Sequence, residues 1–263
     1  MRILMGTDIE GVAGVVSFAE QTGPEGRYYE AARRLLTAEI NAAVEGLLEA
    51  GVDDILVVDG HGPGAVSYDD LHPEAKLLHG RPSAPRAARD PYLAKYDACV
   101  MIGQHAMAGV TTGNLSHTQS SRTIDYYQLN GRRIGEIAQC ALYHGALGLP
   151  LIFLSGDADA CREAEELLPG ITTAAVKQGL GRDSAISLAA PKARALIRAR
   201  IREAVARQGR EPLSPLVWPG PYVLEQRFFH TRDADAAVSQ GAERVDGQTV
   251  RYRADEIKAI IYR

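Results

Sequence analysis

Two carboxylates two residues apart, Asp8 and Glu10, close the first apolar run of the chain, in residues 5–11, MGTDIEG. If the extended conformation persists, their side chains point to one side. Carboxylates held a few ångströms apart in a dry cleft repel, so one takes a proton or a cation sits between them. A plainer reading makes Asp8 the cap of a following helix and leaves Glu10 solvated. Two imidazoles bear on the choice: His61 in DGHG and His105 in GQHA, each at the end of an apolar run, as Asp8 is. Glu136 is the next acid downstream that enters from another direction. Carboxylate and imidazole together suit zinc or a similar divalent ion. If Asp8 bridges two ions and Glu10, His61, His105 and Glu136 give one bond each, every ion has three protein ligands, the coordination of a catalytic zinc with one open position.

Each residue also has an ordinary reading. His61 fits a turn, and Asp59 competes with it as a ligand at the same period-two spacing. His105 fits a satisfied core histidine, and Glu136 stands where the helix dipole favours an acid anyway. His72, His79, His144 and His230 are read as structural. His72 precedes a proline in a turn and His144 lies late in a helix, so neither ends a core strand.

The elements that must position these groups follow from apolar periodicity. Residues 2–5 read as a buried strand. Residues 28–50 read as a helix with Leu36, Ile40, Ala43, Val44 and Leu47 on one face and Gly51 as its stop, and residues 54–58 as a second strand. That βαβ unit requires a parallel sheet. Residues 17–27 read as an irregular loop and 81–89 as a proline-containing basic linker. Residues 98–103 and 150–154 supply further core strands, and Asn130-Gly131 turns a hairpin between 125–129 and 132–134. A helix then runs from Gly135-Glu136 to about Leu147, and another ends near Leu168. Residues 109–122 form a long Gly, Ser and Thr loop holding Ser116-His117-Thr118, of a length usually functional or mobile. Beyond 168 the pattern is mixed: a strand at 172–176, a helix from Pro191, a strand at 222–226, a short helix after Asp233 and a hairpin around Asp246-Gly247. The expected class is α/β, a mainly parallel sheet with flanking helices. Residues 1–168 are expected to form the metal-site domain and 169–263 a smaller mixed α+β subdomain, with one compact unit as the alternative. In open sheets of this kind functional groups converge outside the carboxyl ends of the strands.

Composition limits the function. With 29 basic and 33 acidic residues the net charge is −4, which argues against a nucleic-acid partner. The basic helix over 192–207 carries Arg194, Arg198, Arg200 and Arg202 opposite Ile197, Ile201 and Val205, a solvated outer face. Cys99, Cys140 and Cys161 form no C-x-x-C pair and read as reduced core thiols. No leader pattern opens the sequence and no apolar run approaches the roughly 20 residues of a membrane span, so a soluble cytoplasmic protein is expected.

Read in order, the motifs are Asp8-Ile9-Glu10-Gly11, Asp59-Gly60-His61, Gly103-Gln104-His105-Ala106, Ser116-His117 and an N-G-R-x-x-G-E run from Asn130 to Glu136. Glu165-Glu166-Leu167 and the run TTAAVK, residues 172–177, follow. Over most of the sequence to about Arg207 the chain resembles the zinc D-aminopeptidases of the DppA type, bacterial metallopeptidases associated with dipeptide uptake. The resemblance implies two zinc ions per chain on Asp8, Glu10, His61, His105 and Glu136, with His117 as the catalytic histidine. It also implies a homodecamer of two stacked five-membered rings around an internal chamber, and short peptide substrates, with an N-terminal D residue such as D-Ala. The sequence departs from the family pattern at Asn114, where a more apolar residue is expected, and after Asp233, where it is short and divergent. Lys177, after an apolar strand, is a candidate for the oxyanion or a peptide carboxylate, with a solvated or intersubunit lysine as the alternative.

The expected reaction is hydrolysis of an N-terminal amide bond, with His117 as general base or as nucleophile. A dinuclear phosphoesterase is a rival, weakened by the absence of a G-x-x-x-x-G-K-[ST] loop. A non-catalytic peptide-binding ring protein is another.

Overall fold

Residues 2–7 are a strand with a hydrophobic core on each side: Ile3 and Met5 enter one core and Leu4 the other. The period of two continues in the neighbouring strand, where Ala98, Val100 and Ile102 face the first core and Cys99 and Met101 the second. Such two-sided burial requires a layer of structure on both faces.

The computed structural model describes residues 1–263. Its strands are β1 (Arg2–Thr7), β2 (Asp54–Asp59), β3 (Ala75–Leu78), β4 (Ala98–Gln104), β5 (Ile124–Leu129), β6 (Arg132–Ile134), β7 (Leu151–Asp157), β8 (Thr172–Gly181), β9 (Ser184–Ser187), β10 (Tyr222–Phe228), β11 (Glu243–Arg244) and β12 (Thr249–Ala254). The helices are α1 (Phe18–Gln21), α2 (Tyr29–Glu49), α3 (Arg86–Leu93), α4 (Glu136–Gly145), α5 (Ala158–Leu167), α6 (Ala190–Gln208), α7 (Thr231–Ser239) and α8 (Ile257–Ile260).

The large sheet has seven strands in the order β3-β2-β1-β4-β7-β8-β9, parallel except for the edge strand β9. Its order reverses between β1 and β4, which leaves a crevice at their carboxyl ends. One face carries α2 and α6, whose Leu36, Ile40, Leu47, Ile197 and Ile201 complete the first core. The other face carries α4 and a second, antiparallel sheet of five strands, β11-β12-β10-β5-β6. The expected class, a mainly parallel α/β sheet with flanking helices, is what the chain adopts. A division after residue 168 would cut both sheets, since β7 pairs with β8 (Phe153↔Thr172) and β5 with β10 (Leu129↔Leu224).

Most expected elements are present with shifted ends. The hairpin β5–β6 turns on Asn130 and Gly131 at φ 48° and 82°, the left-handed pair that a tight hairpin demands. The expected linker at 81–89 is in part helix α3, despite Pro91, because Leu93 is buried and Arg86 lies 5.5 Å from the Tyr143 ring centre. Helices α1 and α8 and strand β9 have no periodicity long enough to read.

Two glycines let the strand ends close on one another. Gly103 has φ +76°, and a Cβ there would lie 2.0 Å from the Asp8 carbonyl oxygen. A Cβ on Gly11 would lie 2.1 Å from the Gln104 carbonyl oxygen. Side chains at either position would force the segment after β1 away from β4.

Candidate metal centre

The chain leaves β1 at Asp8, whose amide donates to the Ile102 carbonyl at 2.9 Å, and Gly11 N donates to Gly103 O at 2.7 Å. These two bonds lay residues 8–11 across the end of β4. Asp8 Oδ1 accepts from the Ile9 amide at 2.8 Å, but no helix begins there; the next one, α1, is capped by Ser17. The strand does not extend to Glu10, yet Asp8 and Glu10 converge, because His61 at the end of β2 meets both. His61 Nδ1 lies 3.1 Å from Asp8 Oδ1 and 3.2 Å from Glu10 Oε2.

The other oxygen of Asp8 faces the opposite way. Asp8 Oδ2 lies 3.2 Å from His105 Nε2, which in turn lies 3.4 Å from Glu136 Oε1. Glu136 arrives from the second sheet, at the first residue of α4 directly after the β5–β6 hairpin. Asp8 Oδ1 therefore meets His61, which also meets Glu10, and Asp8 Oδ2 meets His105, which also meets Glu136; Asp8, Glu10 and His105 in addition present ligand atoms within 4.8 Å of one another.

Each imidazole is oriented by a backbone carbonyl. His61 Nε2 donates to Thr22 O at 2.7 Å, and His105 Nδ1 donates to Ala106 O at 2.9 Å. A histidine whose second nitrogen is held this way presents its first as a metal ligand. Glu10 Oε2 and His105 Nε2 are buried and make no hydrogen bond of good geometry. Buried polar atoms without partners are costly, and here they aim inward at the same cluster. This donor set fits divalent cations.

Charge inside the cluster is strongly coupled. Burial opposes ionisation of Asp8, but its close contacts with His105 and His61 win and hold the carboxyl well below its usual range. Glu10 is pushed up to about 7 by burial and by the Asp8 charge. His61 is disfavoured as a cation by burial, yet its close contacts with Asp8 and Glu10 raise it to about 11. His105 is likewise raised, burial being outweighed by Glu136 and Asp8. A cluster that draws protons so strongly onto buried imidazoles is one that favours cations.

His117 stacks on His105 with ring centroids 3.9 Å apart and an interplanar angle of 17°. Phe18 packs edge-on against it at 5.4 Å. Its Nδ1 donates to Leu115 O at 2.9 Å, so Nε2 keeps its lone pair and points toward Glu136 Oε1, 3.8 Å away. Burial and the His105 charge push this imidazole down to about 4. The loop is pinned: Leu115 N donates to Arg182 O at 2.8 Å, and Arg182 Nη1 donates to Ser116 O at 3.1 Å. Leu115 and Gln119 hold φ of 53° and 64°, strained for residues with a Cβ, and Gln119 N donates to Glu136 Oε1 at 2.7 Å. His105, His117 and Glu136 also form a compact trio of ligand atoms.

Lys177 does not line the cavity. Its ammonium is buried and donates to Glu10 O at 2.5 Å, Val15 O at 2.6 Å and Asn114 Oδ1 at 2.7 Å. With all three donors engaged, none is left for an oxyanion or a peptide carboxylate. The lysine clamps the segment that carries Asp8 and Glu10, and Asn114, unexpected in sequence, is one jaw of that clamp. Burial pushes its pKa down to about 8. Lys177→Met leaves three acceptors without a donor and is expected to cost about 3 kcal/mol. Thermal unfolding should show it as a Tm lower by roughly 5–10 °C.

Asp59 is not at the cluster: its carboxylate accepts from the Ala65 amide at 3.0 Å and orders the loop after His61. Two contributors carried no sequence signal. Thr22 acts through its carbonyl, and Glu163 Oε2 accepts from Met107 N at 2.9 Å, steadying the segment after His105.

A doubly wound α/β chain whose carboxylates and imidazoles converge at the switch point has the donor set of a divalent-metal protein. The family model described as D-aminopeptidase matches residues 1–262, and the chain belongs to that family, which makes it a metallo-aminopeptidase. A D-aminopeptidase of Bacillus subtilis (strain 168) is 31% identical over 262 residues, covering 98% of this chain and 93% of the relative. The solved structure of Zn-dependent D-aminopeptidase DppA from Bacillus subtilis, a self-compartmentalizing protease, superposes with a TM-score of 0.88 at 29% identity, covering 98% of this chain and 93% of that one. Family membership sets aside the phosphoesterase and non-catalytic readings. No helix is long and apolar enough to cross a membrane.

Proposed function

We propose that the chain removes the N-terminal residue from short peptides, with preference for a D residue such as D-Ala, at a centre of two zinc ions held by Asp8, Glu10, His61, His105 and Glu136. The observation that carries this reading is the division of Asp8, with one oxygen toward His61 and the other toward His105. A carboxylate placed so is suited to bridge two ions. The zinc dependence of the similar DppA protein supports the choice of metal. Ions bound there supply Lewis acidity toward a carbonyl oxygen and toward water.

The chain's own residues supply the rest. His117 presents an unprotonated Nε2 into the cavity beside Glu136, so it accepts a proton from the nucleophile and returns it to the leaving amine. Glu136 is fixed by the Gln119 amide, and Phe18 and His105 hold the His117 ring from two sides. The cavity of about 900 Å³ has room for a short peptide. The self-compartmentalizing character of the similar protein supports assembly of this chain into a ring-shaped oligomer, a decamer of two five-membered rings.

Purified protein with zinc restored is expected to hold about two ions per chain by elemental analysis, to run as a particle near ten chains, and to release D-Ala from D-Ala-D-Ala. Chelation should abolish release and lower the Tm, since an ion that binds only the folded chain stabilises it. A metal-free monomer, or absence of release with zinc bound, would overturn the reading.

A further inference from the structure

The cavity that opens from the carboxylate and imidazole cluster extends along one side of α4, where Glu136, Cys140 and Tyr143 line it. Three guanidinium groups reach its wall: Arg81, Arg89 and Arg122. Arg81 spends its donors on backbone, with Nε donating to Gly62 O at 2.6 Å and Nη2 to Asp59 O at 3.0 Å. Arg122 is exposed. Arg89, half-buried on α3, is different. Its guanidinium carbon lies 5.6 Å from the centre of the Tyr143 ring, and its buried Nε has no hydrogen-bond acceptor. No carboxylate pairs with it. The adjacent Asp90 is engaged elsewhere, Oδ1 by the Tyr143 hydroxyl and Oδ2 by Lys258 Nζ at 3.2 Å.

A guanidinium with unspent donors, resting on an aromatic face, is suited to bind a carboxylate in two-point fashion. The peptide that enters an aminopeptidase ends in one. Resting on the aminopeptidase reading above, we propose that Arg89 anchors the C-terminal carboxylate of the substrate and thereby sets its length. Glu136 and Tyr143 stand about two turns apart on α4, roughly 10 Å at about 1.5 Å per residue. One or two residues beyond the scissile carbonyl, at roughly 3.5 Å each, together with the ion pair, fill that span. Dipeptides and tripeptides reach Arg89; longer peptides overshoot it.

The test compares D-Ala-D-Ala with its C-terminal amide on zinc-loaded wild-type and Arg89→Met proteins. Wild type should show a KM about 10- to 100-fold lower for the acid, and Arg89→Met should erase that preference while kcat changes less than KM. Arg89→Lys should restore part of it. Equal KM values for acid and amide in wild type, or a variant that weakens both alike, would overturn the anchor. Should wild type turn over neither peptide, the aminopeptidase reading fails, and calorimetric binding of the same two ligands still decides the anchor: an acid preference lost in Arg89→Met supports it, and equal affinities overturn it.

Discussion

The Asp8→Ala protein is expected to lose both metal ions and at least about 10³-fold of its peptidase activity. The loss is larger than for any other ligand because the two oxygens of Asp8 serve opposite sides of the cluster, toward His61 and toward His105. Several kcal/mol of transition-state stabilisation from the ions corresponds to about that factor. Glu10→Ala, by contrast, removes the carboxylate that meets His61 and leaves both oxygens of Asp8 in place, and one ion per chain should remain. Asp8→Asn separates charge from volume: it keeps an acceptor for the Ile9 amide while removing the carboxylate. Elemental analysis per chain, alongside a thermal melt to show that each variant folds, checks the set. If Asp8→Ala retained two ions per chain, the bridging assignment would be wrong.

The second large effect is at His117. His117→Ala is expected to lower kcat by about 10²- to 10⁴-fold with the metal content unchanged. Its imidazole stands outside the four contacts around Asp8, 3.8 Å from Glu136, so the ions have other ligands to rely on. Loss of an ion together with activity would move His117 into the ligand set, where its closeness to His105 and Glu136 also allows it to stand. A burst of amine product before the steady state would select direct attack by His117 over proton transfer. Full activity with metal retained would remove the residue from the mechanism.

What could be read from the sequence, and what could not, follows from how local each signal is. Strands β1, β2, β4 and β7 were legible because each is a dense apolar run ended by a polar or glycine stop, and the hairpin because Asn-Gly admits few other structures. Once these strands were placed in a parallel sheet, the grouping of Asp8, Glu10, His61 and His105 followed from where such strands end. The structure brings Glu136 to the same place by a route no periodicity reveals, the docking of a second sheet on the first. Lys177, open between an oxyanion partner and a structural lysine in the sequence, meets the same limit. Its residue type fits an oxyanion partner, and only the three-dimensional positions of Glu10 O, Val15 O and Asn114 show its donors occupied. Thr22 acts through a carbonyl that every residue possesses, and Arg89 lay in a segment whose prolines read as linker.

On the two-ion reading proposed above, the delivery of Glu136 from the second sheet would give the two ion positions unequal thermodynamics. Asp8, Glu10 and His61 all belong to strand ends of one sheet, so an ion among them asks nothing of the other. An ion between Asp8, His105 and Glu136 fastens the seam where the two sheets meet, like a clasp. Whatever it gains in affinity from a closed seam it returns as resistance to opening, by reciprocity of linked equilibria. The two positions should therefore fill in sequence under zinc titration. The later-filling one should be the ion whose loss loosens the β5–β6 hairpin, visible as faster hydrogen exchange in residues 124–134.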